Sequence, residues 1–278
     1  MEYRNLGSTG TKVSVVGIGC NNFGAKNDAS QTQLIVDAAV DAGINLFDTA
    51  DVYGGAGKSE EFLGRALQGK RQDVVVATKF GAPMGEGPHM HGASRSYIFR
   101  AVEASLKRLG TDYIDLYQLH VPDGSTPPEE TLAALDDLVT QGKVRYLGSS
   151  NFAGWQIADA EWIARTRNLN RFVTAQNQYS LLDRRIEREV VPACNKFHKS
   201  ITESLVSNPS LHLQYNMRAC PGWLSGIQLS GIHSRPLKDL LDAKSCCYSN
   251  LPFTDGVFKL YGVKKAWLVK EPVFKIRA

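Results

Sequence analysis

Six short apolar runs, each followed by a helix-patterned segment, recur along residues 1–197 at a spacing of roughly 25–40 residues. The runs are VSVVGIG (13–19), INLFDTA (44–50), VVVATKF (74–80), YIDLYQLH (113–120), VRYLGSS (144–150) and FVTAQNQYS (172–180). No strand hairpin separates them, and strict alternation of strand and helix implies a parallel sheet. Two architectures satisfy that pattern, a doubly wound open sheet and an eight-stranded barrel. A doubly wound dinucleotide fold places GxGxxG directly after its first strand. Here the first run continues as GIGCNNFG, without the third glycine at the required place. The ends of runs two to six carry polar residues, which favours the barrel, whose site draws on several strand ends.

Local signals punctuate the units. Residues 1–12 read as a hairpin with Gly7, Ser8 and Gly10 in the turn. Ser30 and Gln33 form a capping-box pair that opens a helix stopped by Gly43. Ser59 is expected to cap the next helix, with Glu60 and Glu61 favoured in its first turn by the helix dipole. Further helices are expected over 94–109, over 129–141 between Pro128 and Gly142, through Trp155 and Trp162, and over 184–197.

Composition excludes several classes. The formal charge of +4 is too small to argue for nucleic acid. No run approaches the roughly eighteen apolar residues of a membrane span, and MEYRNLG has no signal-peptide core. Five cysteines, an odd number without metal-ligand spacing, point to reduced thiols and a cytoplasmic protein. Residues 1–197 hold 21 basic and 23 acidic side chains, whereas residues 198–278 hold 11 and 5. The last segment also contains Cys220, Cys246 and Cys247. The character of the chain therefore changes near residue 198.

Asp48 and Tyr53 follow the second run, Lys79 lies near the end of the third, and His120 ends the fourth. An acid, a phenol, an amine and an imidazole at successive strand ends are the groups that a carbonyl-reducing site needs. Taken singly, Asp48 and Lys79 read as a structural ion pair and Tyr53 as a loop aromatic; taken jointly, they read as a site. His89 and His91 have the spacing of a metal pair but lack further ligands, so they read as loop residues. GGAGKS (54–59) reads as a turn plus helix cap, because Val52 stands where a phosphate loop needs glycine. Trp155 and Trp162 read as core or helix-face residues, and Cys194 as a buried helix thiol.

The motifs FDTADVYG, TKF, SLKRLGTDYIDLYQLH, GKVRYLGSSNF and AQNQYSLLDRRIE together resemble the aldo-keto reductases over about residues 3–197. The resemblance implies a (β/α)8 TIM barrel that uses NADPH to reduce aldehyde or ketone carbonyls of small molecules, with no nucleic-acid or membrane partner. It places the catalytic tetrad on Asp48, Tyr53, Lys79 and His120. In that reading Asp48 holds Lys79, Lys79 lowers the pKa of Tyr53, and neutral His120 orients the carbonyl. It also implies that Ser150, Asn151 and Gln176 hold the nicotinamide carboxamide, with Gly19 and Phe23 as further cofactor contacts.

Beyond residue 197 the family pattern stops. Six β/α units are recognisable, and the last two are expected to be missing or replaced within an atypical segment, 198–278. The run HKSITESLVSNPSLHLQYNMRACPGWLSGIQ shows no seventh strand, and only 223–229 and 263–269 have weak strand character. The aromatic that stacks on nicotinamide and the basic clamp for the 2′-phosphate have no counterpart that the sequence assigns, Trp223 and Arg235 included. Such a junction is what a reading-frame change, an alternative splice or a retained intron produces. Two alternative readings follow: a truncated or frame-altered relative without activity, and a non-catalytic cofactor-binding subunit of the kind that associates with channels.

Overall fold

The computed structural model describes residues 1–180, 183–204 and 214–218. The chain opens with an antiparallel hairpin, β1 (Tyr3–Asn5) and β2 (Lys12–Ser14). Then follow β3 (Val16–Gly19), α1 (Ala29–Asp41), β4 (Leu46–Asp48), the single turn α2 (Tyr53–Ala56) and α3 (Lys58–Ala66). Next come β5 (Val75–Phe80), α4 (Arg95–Leu109), β6 (Ile114–Leu119), α5 (Pro128–Thr140) and β7 (Val144–Ser150). The described chain ends with α6 (Gly154–Thr166), β8 (Phe172–Gln178), α7 (Val190–Phe197), β9 (Ser200–Ser204) and β10 (Gln214–Arg218).

The strands β3 to β9 pair in sequence order, each parallel to the next. The strand β10 closes the barrel, antiparallel to both β9 and β3. The fold is thus a (β/α) barrel with seven parallel strands and an antiparallel strand where the eighth parallel unit would stand. Closure pairs the two edges that six strands alone would leave open.

The expected absence of a seventh strand is corrected by β9, which lies immediately beyond the apparent junction. Its residues Ser200, Ile201 and Thr202 are all buried, yet only one is aliphatic. Small hydroxyl side chains fill the barrel interior here, so the strand lacks the apolar run that marks the others. The weak strand candidates at 223–229 and 263–269 lie outside the described residues.

Other boundaries shift for physical reasons. The run 13–19 is two strands, because the chain leaves the hairpin at Ser14 and enters the barrel at Val16. The helix α1 is capped by Asp28, which accepts from Gln31 N, while the Gln31 side chain returns to Asp28 N; Ser30 instead donates to Asp28. Ser59 does not cap α3 either. Its hydroxyl donates to Cys20 O at 2.7 Å and bonds Thr49 Oγ1 at 2.8 Å, pinning α3 to the strand ends.

The main core lies between barrel and helices. A second cluster, Leu6, Val13, Leu46, Val75, Ala77 and Leu116, brings the hairpin against β4, β5 and β6. Gly7 N donates to Ser200 Oγ at 2.7 Å, so the hairpin also meets the start of β9. These contacts occupy the N-terminal end of the barrel and leave the strand C-termini as the mouth. Trp155 and Trp162 are not core residues; both lie on the solvent face of α6, at 66% and 54% exposure. Cys194 is fully buried, and burial pushes its thiol up to about 12.

The entry to β9 is held by a buried ion pair. Lys199 Nζ donates to Glu161 Oε2 of α6 at 2.7 Å and to Phe172 O at 2.5 Å. Both side chains are nearly inaccessible, at 2% and 1%. Removing one member strands the other charge in the interior. The Glu161→Ala variant is therefore expected to lose about 3–5 kcal/mol of stability. Urea unfolding of the full chain measures this, and a loss below about 1 kcal/mol contradicts the role given to the pair.

Candidate active site

Asp48, Tyr53, Lys79 and His120 converge at the mouth. Asp48 is the last residue of β4, Lys79 lies one residue from the end of β5, and His120 follows β6. Tyr53 opens α2 and is delivered by the loop after β4. That loop extends the ladder, with Thr49 N donating to Ala77 O at 2.8 Å and Asp51 N to Lys79 O at 3.1 Å. Gly54 then turns with φ +72°, where a β-carbon would stand 2.5 Å from Phe23 O and 2.9 Å from Ser59 N. Only glycine tolerates both that backbone and that approach.

Lys79 is completely buried. Its ammonium donates to Asp48 Oδ2 at 2.5 Å and to Thr49 O at 3.0 Å, and lies 5.1 Å from the centre of the Tyr53 ring. Tyr53 meets His120 edge-on, with ring centres 5.7 Å apart at 84°. Desolvation pulls Lys79 down, but Asp48 and Tyr53 outweigh it and hold the amine above its ordinary value. For Tyr53 the balance differs from the sequence expectation. Burial raises its pKa by more than the Lys79 charge lowers it, so the phenol remains above its ordinary 10.0. Burial and the nearby Lys79 charge push His120 down to about 3, which keeps the imidazole neutral at physiological pH.

His120 is fixed through its backbone. Its N–H donates to Phe80 O at 2.8 Å, and its carbonyl accepts from Asn151 Nδ2 at 3.0 Å. Nδ1 of the ring is buried without a hydrogen-bond partner among the described residues. Asn151 adopts φ +60°, a left-handed backbone that asparagine tolerates better than most residues. Its N–H donates to Gln176 O at 2.8 Å, its side chain reaches Ser150 Oγ at 3.2 Å, and Ser150 and Gln176 are register partners. The expected carboxamide group and the tetrad are thus continuous through His120 and Asn151. Gly19 is the register partner of Asp48, whereas Phe23, 1% exposed, lies in the main core. Trp223 and Arg235 lie outside the described residues.

Residues 15–209 match the family model described as "Aldo/keto reductase family". The chain belongs to that family. It is 46% identical over 203 residues to the uncharacterized oxidoreductase YrpG of Bacillus subtilis, covering 69% of this chain and 62% of that protein. It is 38% identical over 220 residues to the versiconal hemiacetal acetate reductase of Aspergillus parasiticus, covering 70% and 64%. A probable voltage-gated potassium channel subunit beta of Arabidopsis thaliana is 35% identical over 229 residues, covering 80% and 69%. The chain thus spans slightly under two thirds of the length of the first two of these relatives. The family match begins at Val15, between the hairpin and β3, and continues through β9.

Several polar residues of the aldo/keto reductase mouth escaped sequence reasoning. Gln118 donates from Nε2 to Asp48 Oδ1 at 3.0 Å. Its signal was periodicity, since residues 116, 118 and 120 share one face of β6. Behind the mouth, Glu60 accepts from Thr78 Oγ1 at 2.5 Å and pairs with Arg108 Nε at 2.6 Å. Beside them Asp51 is 1% exposed, and neither carboxyl oxygen has a hydrogen-bond partner of good geometry among the described residues. Burial, with the charge of Glu60, pushes Asp51 from 3.8 up to about 7, against the pull of Arg108, the Val52 N–H and Lys79.

The folded chain therefore keeps a proton on Asp51 that the unfolded chain releases above about 3.8. Stability from this group falls as pH rises from about 4 to about 7 and is level above that. Asp51→Asn removes the slope. Its melting temperature is expected to match the parent's near pH 4 and to exceed it by several degrees at pH 8. A constant difference across that range contradicts the burial of a protonated Asp51.

Proposed function

We propose that this chain is an NADPH-dependent oxidoreductase that reduces the carbonyl of a small aldehyde or ketone to an alcohol, acting in the cytoplasm. The observation that carries this reading is the fully buried Lys79 ammonium. It is held between Asp48 Oδ2 and Thr49 O and faces the Tyr53 ring. A buried cation beside a phenol favours loss of the phenolic proton, and the neutral imidazole of His120 meets the same ring.

The residues at the mouth suit a nicotinamide cofactor. Ser150, Asn151 and Gln176 supply hydroxyl and amide groups that can both donate to and accept from a carboxamide. When bound, the cofactor supplies a hydride from C4 of its nicotinamide to the carbonyl carbon.

The protein's own residues manage the proton. Burial keeps Tyr53 protonated at neutral pH, so the donor is loaded before substrate arrives. As negative charge develops on the carbonyl oxygen, the Tyr53 O–H bond breaks and the proton passes to that oxygen. The phenolate left behind is stabilised by Lys79, whose charge Asp48 holds in place. His120 remains neutral and donates a hydrogen bond that orients the carbonyl. The family match reaches residue 209, so the segment unlike the family's usual ending begins beyond β9 rather than at 198. Substrate choice lies in the loops that follow the strands. Among the described residues Cys20 and Cys194 are free thiols. No helix of the described residues is long and apolar enough to cross a membrane.

The similarity to plant proteins named as probable potassium channel beta subunits supports a second reading, a cofactor-binding subunit that acts through a partner. The Tyr53→Phe variant separates the two. It is expected to lower kcat for carbonyl reduction on the order of 10²–10⁴-fold, the range for a general acid, while NADPH affinity stays unchanged. Parent-level turnover by this variant rules out Tyr53 as the acid.

A further inference from the structure

Asp48 presents two carboxylate oxygens, and the chemistry above accounts for one. Oδ2 takes the Lys79 ammonium, while Oδ1 accepts the amide of Gln118. Gln118 is completely buried on β6, two residues before His120 and on the same strand face.

One register row crosses the barrel here: Lys79, Gln118, Gly148, Thr174 and Ser200 are successive partners on β5 to β9. The glycine in this row is needed for space. A β-carbon at residue 148 would stand 2.9 Å from Gln118 Cγ, 3.2 Å from Gln118 Oε1 and 2.4 Å from Thr174 Oγ1. The Gln118 side chain therefore uses room that any larger residue at 148 would take, and from there Nε2 reaches Asp48.

As a space-filler, an amide is a poor choice at this position. Oε1 of Gln118 has no hydrogen-bond partner among the described residues, and neither has Thr174 Oγ1. A leucine of similar size would bury no unpaired oxygen. What the amide provides that leucine cannot is the bond to Asp48. The Asp48 carboxylate turns about a broad two-fold torsion, so one anchored oxygen fixes where the other points.

We propose that Gln118 is a positioning residue: its amide locks the Asp48 carboxylate so that Oδ2 stays on Lys79 and the ammonium stays against Tyr53. This rests on the reductase reading above. Gln118 itself touches neither the phenol nor the substrate carbonyl in this account. Its effect on the reaction passes through Asp48 and Lys79.

The test uses the full chain with Gln118→Leu and Gln118→Glu, assayed for carbonyl reduction with NADPH across pH. Gln118→Leu is expected to lower kcat on the order of ten- to a hundredfold, as misplacement of a reacting group does, with both KM values within about twofold of the parent. Gln118→Glu can donate to Asp48 only while protonated. Its activity is expected to survive at low pH and to fall as pH rises, giving a profile displaced to the acid side of the parent's. A Gln118→Leu kcat equal to the parent's, or a Gln118→Glu profile superimposable on it, overturns the proposal. Absence of turnover in the parent itself contradicts the reductase reading alone. A double-mutant cycle of Asp48→Asn with Gln118→Leu in urea then decides the role of Gln118. Non-additive losses support the lock, and additive losses overturn it.

Discussion

The buried pair of Lys79 and Asp48 is the interaction on which the rest of this structure depends. An ammonium with no solvent exposure is tolerable only if its partners are close and well directed. Lys79 has a carboxylate at 2.5 Å and a backbone carbonyl at 3.0 Å. Its charge then acts on Tyr53 and His120 through protein rather than water, where electrostatic influence is stronger. The same burial raises the phenol and lowers the imidazole, leaving both uncharged at neutral pH. An uncharged phenol and an uncharged imidazole thus stand beside one enclosed cation.

Enclosure requires a closed barrel. Seven parallel strands bring the site residues to one end, and β10 joins β9 to β3 in the antiparallel sense. The hairpin meets the opposite end, with Leu6 and Val13 in an apolar cluster and Gly7 bonded to Ser200. The ion pair of Lys199 and Glu161 fastens the start of β9 to α6. Pairing of β9 with β8 and β10 thus completes the barrel whose β4, β5 and β6 carry Asp48, Lys79 and His120 at their ends.

Most of this organisation was legible in the sequence wherever apolar periodicity and polar strand ends coincided. The runs ending near Asp48, Lys79, His120 and Asn151 each combine a buried strand with a residue type that is unusual at a strand end. They fixed both the alternation and the candidate tetrad. What stayed hidden lacked such contrast. In β9, Ser200 and Thr202 face a polar interior, so the strand does not read as apolar. Ser59 looked like a helix cap because serine favours that position, but its hydroxyl is engaged by Cys20 and Thr49 across the fold. The direction of the Tyr53 shift depends on the depth of burial, which spacing does not encode. Strand periodicity puts Gln118 on the face of His120, but its link to Asp48, like the unpaired carboxyl of Asp51, becomes visible only in three dimensions.

On the proposed function, the barrel mouth beside the enclosed Lys79 charge binds a nicotinamide cofactor. Titration of NADPH into the purified full chain, followed by tryptophan fluorescence quenching, tests it most directly. The account predicts saturable binding of one cofactor per chain at about micromolar concentration, a free energy near −8 kcal/mol. Absence of binding by a chain whose circular dichroism shows intact helices and strands would contradict it.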